Sequence, residues 1–253
     1  MTKIKICGLR TGEEAIAARD MGADFLGFIF VSGAKRCLEA SFAKSEIAKL
    51  KESPSSNHYY KTVGLFADQP IEIVNRIAVE CDLDIVQLCG GESLDYCKTV
   101  EKEVIKSVHI KERGTQEDHF QLVATLNQLE SNGYLVTLDR FQKGIYGGTG
   151  TTFDWEVAQK LAINHRFLLA GGLTPENVAL AINKIKPWGV DVSSGIETDG
   201  KKDVKKIAEF IHTVRLLYDY RIISTGVYHW LRMIRNKIIG GLDPTEDSLY
   251  QRC

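Results

Sequence analysis

The feature that most constrains this chain is a repeat of texture. Eight short apolar runs, at residues 3–7, 25–30, 62–66, 84–88, 104–109, 134–138, 167–169 and 189–192, alternate with eight amphipathic stretches, at 13–21, 42–51, 70–80, 93–100, 117–130, 155–163, 175–185 and 202–217. Apolar runs of this length between turn residues read as buried strands, and the stretches between them read as helices. Several helices carry start or stop signals. Thr174 then Pro175 reads as an N-cap with proline in the first turn, Asp154 precedes Trp155-Glu156 in the same way, and Met21-Gly22 reads as a stop. Eight strand–helix units in about 215 residues match the count of a (β/α)8 TIM barrel. A doubly wound open sheet has fewer repeats and usually a Gly-rich first turn, and KICGLRTG lacks G-x-G-x-x-G. The expected fold is a single α/β barrel over residues 1–218. The units are then used up, so residues 219–253 are expected to be a C-terminal extension, helical or poorly ordered. Its stretch VYHWLRMIRNKII is cationic and aromatic, but packing on the barrel or disorder is a simpler expectation than membrane binding.

Charge and cysteine usage narrow the function by exclusion. Lys plus Arg number 32 and Asp plus Glu 33, a formal net charge of −1. That gives no electrostatic reason to expect nucleic acid or an anionic membrane surface as a partner. No window approaches the roughly twenty apolar residues of a membrane span, and MTKIKICG has neither a secretory apolar region nor the look of a transit peptide. A cytoplasmic protein is expected. Cys7, Cys37, Cys81, Cys89, Cys97 and Cys253 include no C-x-x-C pair and no His/Cys cluster, so they read as free thiols with no metal site or redox pair.

In barrels of this kind the chemistry gathers on the loops after the strands. After the first strand stands Cys7, which on position alone is more readily a small buried hydrophobe than a reactive group. Strand parity puts Lys5 on the face of Cys7, one layer deeper, where an inward ammonium needs a carboxylate; Asp191 on the adjoining eighth strand is one candidate. After the second strand a basic loop ends in Lys35-Arg36, either solvated charge or a grip for a carboxylate. Asp139 closes the apolar run Leu135-Val136-Thr137-Leu138. It is poorly placed as a helix cap, because Gly147-Gly148-Thr149-Gly150 intervenes before the next helix. After the seventh and eighth strands come Ala170-Gly171-Gly172-Leu173-Thr174 and Asp191-Val192-Ser193-Ser194-Gly195. Glycines there let backbone N–H groups approach an anion, and these two loops are the recurrent phosphate site of barrel enzymes. A phosphorylated small molecule is the expected substrate.

Taken in order, KICGL, GFIF with Arg36 beyond it, VGLFAD, DIVQLCGGE, LD…YGGTGTTFDW, LAGGLTPENV and GVDVSSGIE…GKKD resemble the phosphoribosylanthranilate isomerase family of tryptophan biosynthesis. The resemblance spans residues 3–217. It implies an Amadori rearrangement, in which N-(5-phosphoribosyl)anthranilate becomes 1-(2-carboxyphenylamino)-1-deoxyribulose 5-phosphate. It implies Asp139 as general acid on the furanose ring oxygen and Cys7 as general base at C2′. Arg36 would hold the anthranilate carboxylate and Asp191 would lie near the ribose hydroxyls. Gly171, Gly172, Ser193, Ser194 and Gly195 would bind phosphate. Neither step needs a cofactor, since the anthranilate nitrogen drives ring opening and the iminium is the electron sink. The acid must be protonated near neutrality and the base available as thiolate, which a nearby cation would favour. Barrels of the family are often monomers, and a monomer is expected here.

One departure stands out: the position of Cys89 is commonly histidine in the family, within QLHG. Residues beyond Tyr218 have no counterpart there. Indole-glycerol-phosphate synthase shares fold and ligand type, but its chemistry looks to inward lysine and glutamate at the strand ends that here hold Cys7 and Asp139. A non-catalytic phosphate-binding barrel is a further alternative, disfavoured by the presence of both groups.

Overall fold

The computed structural model describes residues 1–54, 58–110, 114–140 and 155–217. Eight parallel strands, β1 (Lys3–Cys7), β2 (Phe25–Ile29), β3 (Lys61–Phe66), β4 (Ile85–Leu88), β5 (Glu103–Ile110), β6 (Leu135–Arg140), β7 (Phe167–Leu169) and β8 (Gly189–Val192), form a closed barrel in chain order. Closure is made by β8 on β1, with Lys3 opposite Gly189 and Lys5 opposite Asp191. The helices between them are α1 (Gly12–Asp20), α2 (Ala40–Glu52), α3 (Ile71–Glu80), α4 (Leu94–Lys98), α5 (Gln116–Ser131), α6 (Trp155–Leu161) and α7 (Val178–Ile185). Residues 204–217 form α8. The expected TIM barrel is therefore the observed fold, with element ends within two residues of those read from the sequence except at the start of α7.

The strands are apolar on both faces because helices cover the outside and side chains fill the inside. In β1, Ile4 and Ile6 are fully buried on one face, while Lys5 and Cys7 are buried on the other. Inside, Phe25, Val63, Leu65, Ile85, Ile105 and Leu168 pack into one cluster that also contains Cys7. Above that packed floor, at the carboxyl ends of the strands, a cavity opens. Local signals set the helix ends. Thr11 Oγ1 accepts from Glu14 N at 3.2 Å, with Glu13 and Glu14 in the first turn of α1. The stop at Met21-Gly22 is as expected, with Gly22 at φ +102°.

Two local readings change. α7 begins at Val178 rather than at Pro175, because Asn177 Oδ1 accepts from Thr174 N at 2.8 Å and makes a separate turn first. The stretch before α8 is a hairpin, β9 (Glu197–Thr198) against β10 (Lys201–Lys202), so Lys202 lies in a strand and not at a helix start. Its two-residue turn, Asp199-Gly200, has φ of +52° and +74°. Asp-Gly is the preferred pair for such a turn. The Gly147–Gly150 run, Asp154 and residues 218–253 with their expected extension lie outside the described residues. Among the described residues no helix is long and apolar enough to cross a membrane.

Candidate active site

The cavity at the carboxyl ends of the strands is lined by every site residue singled out from the sequence. Cys7 comes from β1, Arg36 lies beyond β2, Asp139 stands near the end of β6, and Gly171 and Gly172 come directly after β7. Asp191 belongs to β8, and Ser193, Ser194 and Gly195 lie just beyond it. The walls differ in character. Residues of β2, β3 and the loop after β2 give an apolar side, with Ile29, Val31, Ala34 and Leu65. On the side of β4 and β5 the wall is polar, with Gln87, Cys89, Ser107 and His109.

The closing seam of the barrel holds the thiol. Lys5 has no exposure to solvent and its Nζ lies 2.8 Å from Asp191 Oδ2, the partner that strand parity suggests. Burial works against the Lys5 charge, but Asp191 and then Cys7 outweigh it, and the ammonium pKa is raised. The second carboxylate oxygen, Asp191 Oδ1, is buried without a hydrogen-bond partner. Burial pushes the Cys7 thiol above its ordinary 9.0; Lys5 and Lys202 pull it down and Asp191 pushes it up. The nearby cations favour the thiolate as expected, yet burial outweighs them.

The loops after β7 and β8 meet backbone to backbone. A Cβ on Gly195 would lie 1.8 Å from Leu173 O, so only glycine lets them approach this closely. Asn177 Nδ2 fixes the first loop by donating to Gly172 O at 2.8 Å. Ser193 ties the second to β1, its Oγ donating to Cys7 O at 3.1 Å. A single 3-10 turn, Ser194–Ile196, follows in the second loop.

Arg36 is not a loosely solvated loop cation. Its Nε and Nη2 both donate to the Glu197 carboxylate, Nη2 at 2.6 Å from Oε2. Lys202 Nζ reaches Glu197 Oε1 at 2.9 Å and Ser193 O at 2.7 Å. Burial works against the Glu197 charge, but Arg36 and Lys202 hold its carboxyl below the usual range. Sequence reasoning misses both residues, although the Asp-Gly pair between them is the signal that brings Glu197 and Lys202 together across a hairpin.

Sequence reasoning misses His109 as well. It sits opposite Asp139 in the β5–β6 register, and both face the cavity. Counting in steps of two from the inward Ile105 finds it. Its Nε2 lies 3.5 Å from Cys89 O. Burial pushes the Cys89 thiol up to about 12, although Ser107 Oγ, 3.4 Å from Sγ, favours its thiolate. Gln87 Nε2 completes this row by donating to Ser107 Oγ at 3.0 Å.

A closed barrel with a thiol, carboxylates and paired glycine loops around the mouth of its strands belongs to the class of (β/α)8-barrel enzymes. A family model described as N-(5′-phosphoribosyl)anthranilate (PRA) isomerase matches residues 4–213. The chain belongs to this family. It is similar to N-(5′-phosphoribosyl)anthranilate isomerase of Pelobacter propionicus, 40% identical over 216 residues, covering 85% of this chain and 96% of that one. The crystal structure of the Thermotoga maritima phosphoribosyl anthranilate isomerase aligns with a TM-score of 0.72 at 33% identity, over 85% of this chain and 99% of that one. A second crystal structure of a phosphoribosyl anthranilate isomerase, in complex with reduced 1-(o-carboxyphenylamino)-1-deoxyribulose 5-phosphate, aligns at 0.69 and 31% identity, with 85% and 99% coverage.

Proposed function

We propose that this chain converts N-(5-phosphoribosyl)anthranilate into 1-(2-carboxyphenylamino)-1-deoxyribulose 5-phosphate, with Asp139 as general acid and Cys7 as general base. The supporting observation is that both groups line one cavity with the loops after β7 and β8. The phosphate goes to Gly171, Gly172, Ser193, Ser194 and Gly195, and the aromatic ring to the apolar wall. The anthranilate carboxylate goes to Arg36. The open oxygen of Asp191 accepts a hydrogen bond from a ribose hydroxyl, which satisfies a buried acceptor on binding.

Asp139 protonates the ring oxygen, the C1′–O bond breaks, and the nitrogen lone pair gives an open-chain iminium. Burial pushes the Cys7 thiol up, so the base needs help. The iminium is a new cation beside it and draws the thiol toward thiolate at the step that needs it. Removal of the C2′ proton gives the enolamine. Gain of a proton at C1′ and loss of one from O2′ complete the ketone with no net proton change.

The reading includes a monomer working in the cytosol, where the five described cysteines stay free thiols. It also takes residues 1–218 as the catalytic unit. The test is a fluorescence assay for loss of phosphoribosylanthranilate with the purified full chain. Turnover abolished by Cys7→Ala and by Asp139→Asn supports the reading; a folded protein without turnover overturns it.

A further inference from the structure

Arg36 is the only permanent cation among the described residues that line the cavity, and it is not alone behind the wall. Arg36, Glu197 and Lys202 form a buried triad whose side chains are 12%, 9% and 1% exposed. Two cations and one carboxylate leave one surplus positive charge, and the neighbouring Lys5–Asp191 pair is neutral in sum. A desolvated surplus charge at a cavity wall is a site an anion completes.

The geometry sets which edge of the guanidinium is offered. Glu197 occupies the Nε–H and one Nη2–H. The remaining N–H groups are the two on Nη1 and the second on Nη2, a fork that matches a second carboxylate. The Arg36 stem crosses Gly8, where a Cβ would lie 2.6 Å from Arg36 Cδ. The hairpin is itself anchored. Lys206 Nζ donates to Glu197 O and Arg10 Nη2 to Gly200 O, each at 2.7 Å.

We propose that Glu197 and Lys202 are positioning residues for the isomerisation. Glu197 clamps one edge of Arg36 so that the other edge meets the substrate carboxylate, and Lys202 ties this clamp to the Ser193 loop that receives the phosphate. The inference rests on the assignment of Arg36 to the anthranilate carboxylate.

The test uses two ligands, the reduced 1-(o-carboxyphenylamino)-1-deoxyribulose 5-phosphate and its phenylamino counterpart without the carboxylate. Binding is measured to the full chain and to Glu197→Gln, Arg36→Ala, the double variant and Lys202→Met. Glu197→Gln should weaken the carboxylated ligand about tenfold, the scale of one charge-assisted hydrogen bond, and leave the other nearly unchanged. KM should rise with kcat altered less than about threefold, as for lost ground-state binding. In the Arg36→Ala background the Glu197→Gln penalty should vanish. Lys202→Met should weaken both ligands. Glu197→Asp, which keeps the charge with a shorter reach, should give the same split at smaller size and serves if Glu197→Gln does not fold. Equal weakening of both ligands by Glu197→Gln, or a penalty that persists without Arg36, overturns the clamp; Lys202→Met binding both ligands normally overturns the tie. If Arg36→Ala itself weakens both ligands equally, the assignment of Arg36 fails instead.

Discussion

Two buried aspartates mark opposite ends of the barrel, and their surroundings differ sharply. Asp24, 5% exposed at the amino end of β2, has both oxygens occupied. Oδ1 accepts from Lys3 Nζ at 2.6 Å, while Oδ2 accepts from Ile4 N and Arg215 Nη2, each at 2.9 Å. Asp191, 7% exposed in β8, spends Oδ2 on Lys5 and leaves Oδ1 buried and open. A carboxylate with all its partners stabilises a fold. One with a desolvated oxygen left over raises the free energy of the empty state, and a ligand hydroxyl relieves that. Among the described residues the wider groove lies at the Asp24 end, beside residues such as Lys3, Glu103 and Trp188. For these two carboxylates, the number of oxygens left open separates them better than the size of the space beside them does.

The largest expected effect belongs to the groups that move protons. Cys7→Ala and Asp139→Asn should each lower kcat by about 10²–10⁴ with KM little changed. A variant that keeps a tenth of the wild-type kcat places its residue outside the chemistry. Next comes the direct contrast between the two aspartates. Asp191→Asn should lower kcat/KM about 10–100-fold, the scale of one hydrogen bond to a charged group. Asp24→Asn should leave kcat per folded molecule intact and cost on the order of 2 kcal/mol of stability. That is less than the about 3–5 for breaking a fully buried pair, since Lys3 reaches solvent. Chemical denaturation with activity assays on both variants checks this, and lost activity at unchanged stability in Asp24→Asn breaks the comparison.

The thiol gives a smaller, pH-dependent effect. The folded protein keeps the Cys7 proton above pH 9.0, where the unfolded thiol releases it. Above that pH the unfolded state binds fewer protons. The stabilisation is therefore complete below about pH 9 and lost as pH rises through the folded pKa. Unfolding free energies should fall on the alkaline side, less steeply in Cys7→Ala. In the kinetics, the limb that reports Cys7 should lie lower in kcat than in kcat/KM, because the iminium is present only in the complex. Coincident limbs would remove the iminium from the account. The smallest effect is expected from the chain end. Residues 1–215 form one compact unit, so a chain ending at Tyr218 should fold and keep kcat/KM within about twofold. A folded but inactive truncation would tie the extension to the catalytic face.

Legibility tracks physical range. The barrel is readable because its strands are apolar on both faces and its turns are local. Cys7, Asp139 and the glycine loops are readable because each stands at or just past the carboxyl end of a strand. Lys5 and Asp191 can be paired from sequence because parity and strand adjacency are simple rules of the closed sheet. Glu197, Lys202 and His109 escape for different reasons. The Glu197–Lys202 contact requires the Asp199-Gly200 turn to be recognised inside a stretch that reads as a loop and a helix start. His109 is found by counting in steps of two only once Ile105 is known to face inward. That burial outweighs Lys5 at the Cys7 thiol depends on a balance of desolvation and charge that only coordinates resolve.

The seam between β1 and β8 has a consequence in time. Ser193 meets Cys7, and Asp191 meets Lys5, each across 186 residues of chain. Contacts of such separation close late, after the loop entropy of nearly the whole barrel has been overcome by other pairings. A ribosome-bound chain lacking β8 holds the thiol but neither its carboxylate neighbour nor the Ser193 loop. Catalytic competence should thus appear as an all-or-none event at the end of refolding, trailing the recovery of helical signal. The return of turnover then reports the docking of the last strand on the first.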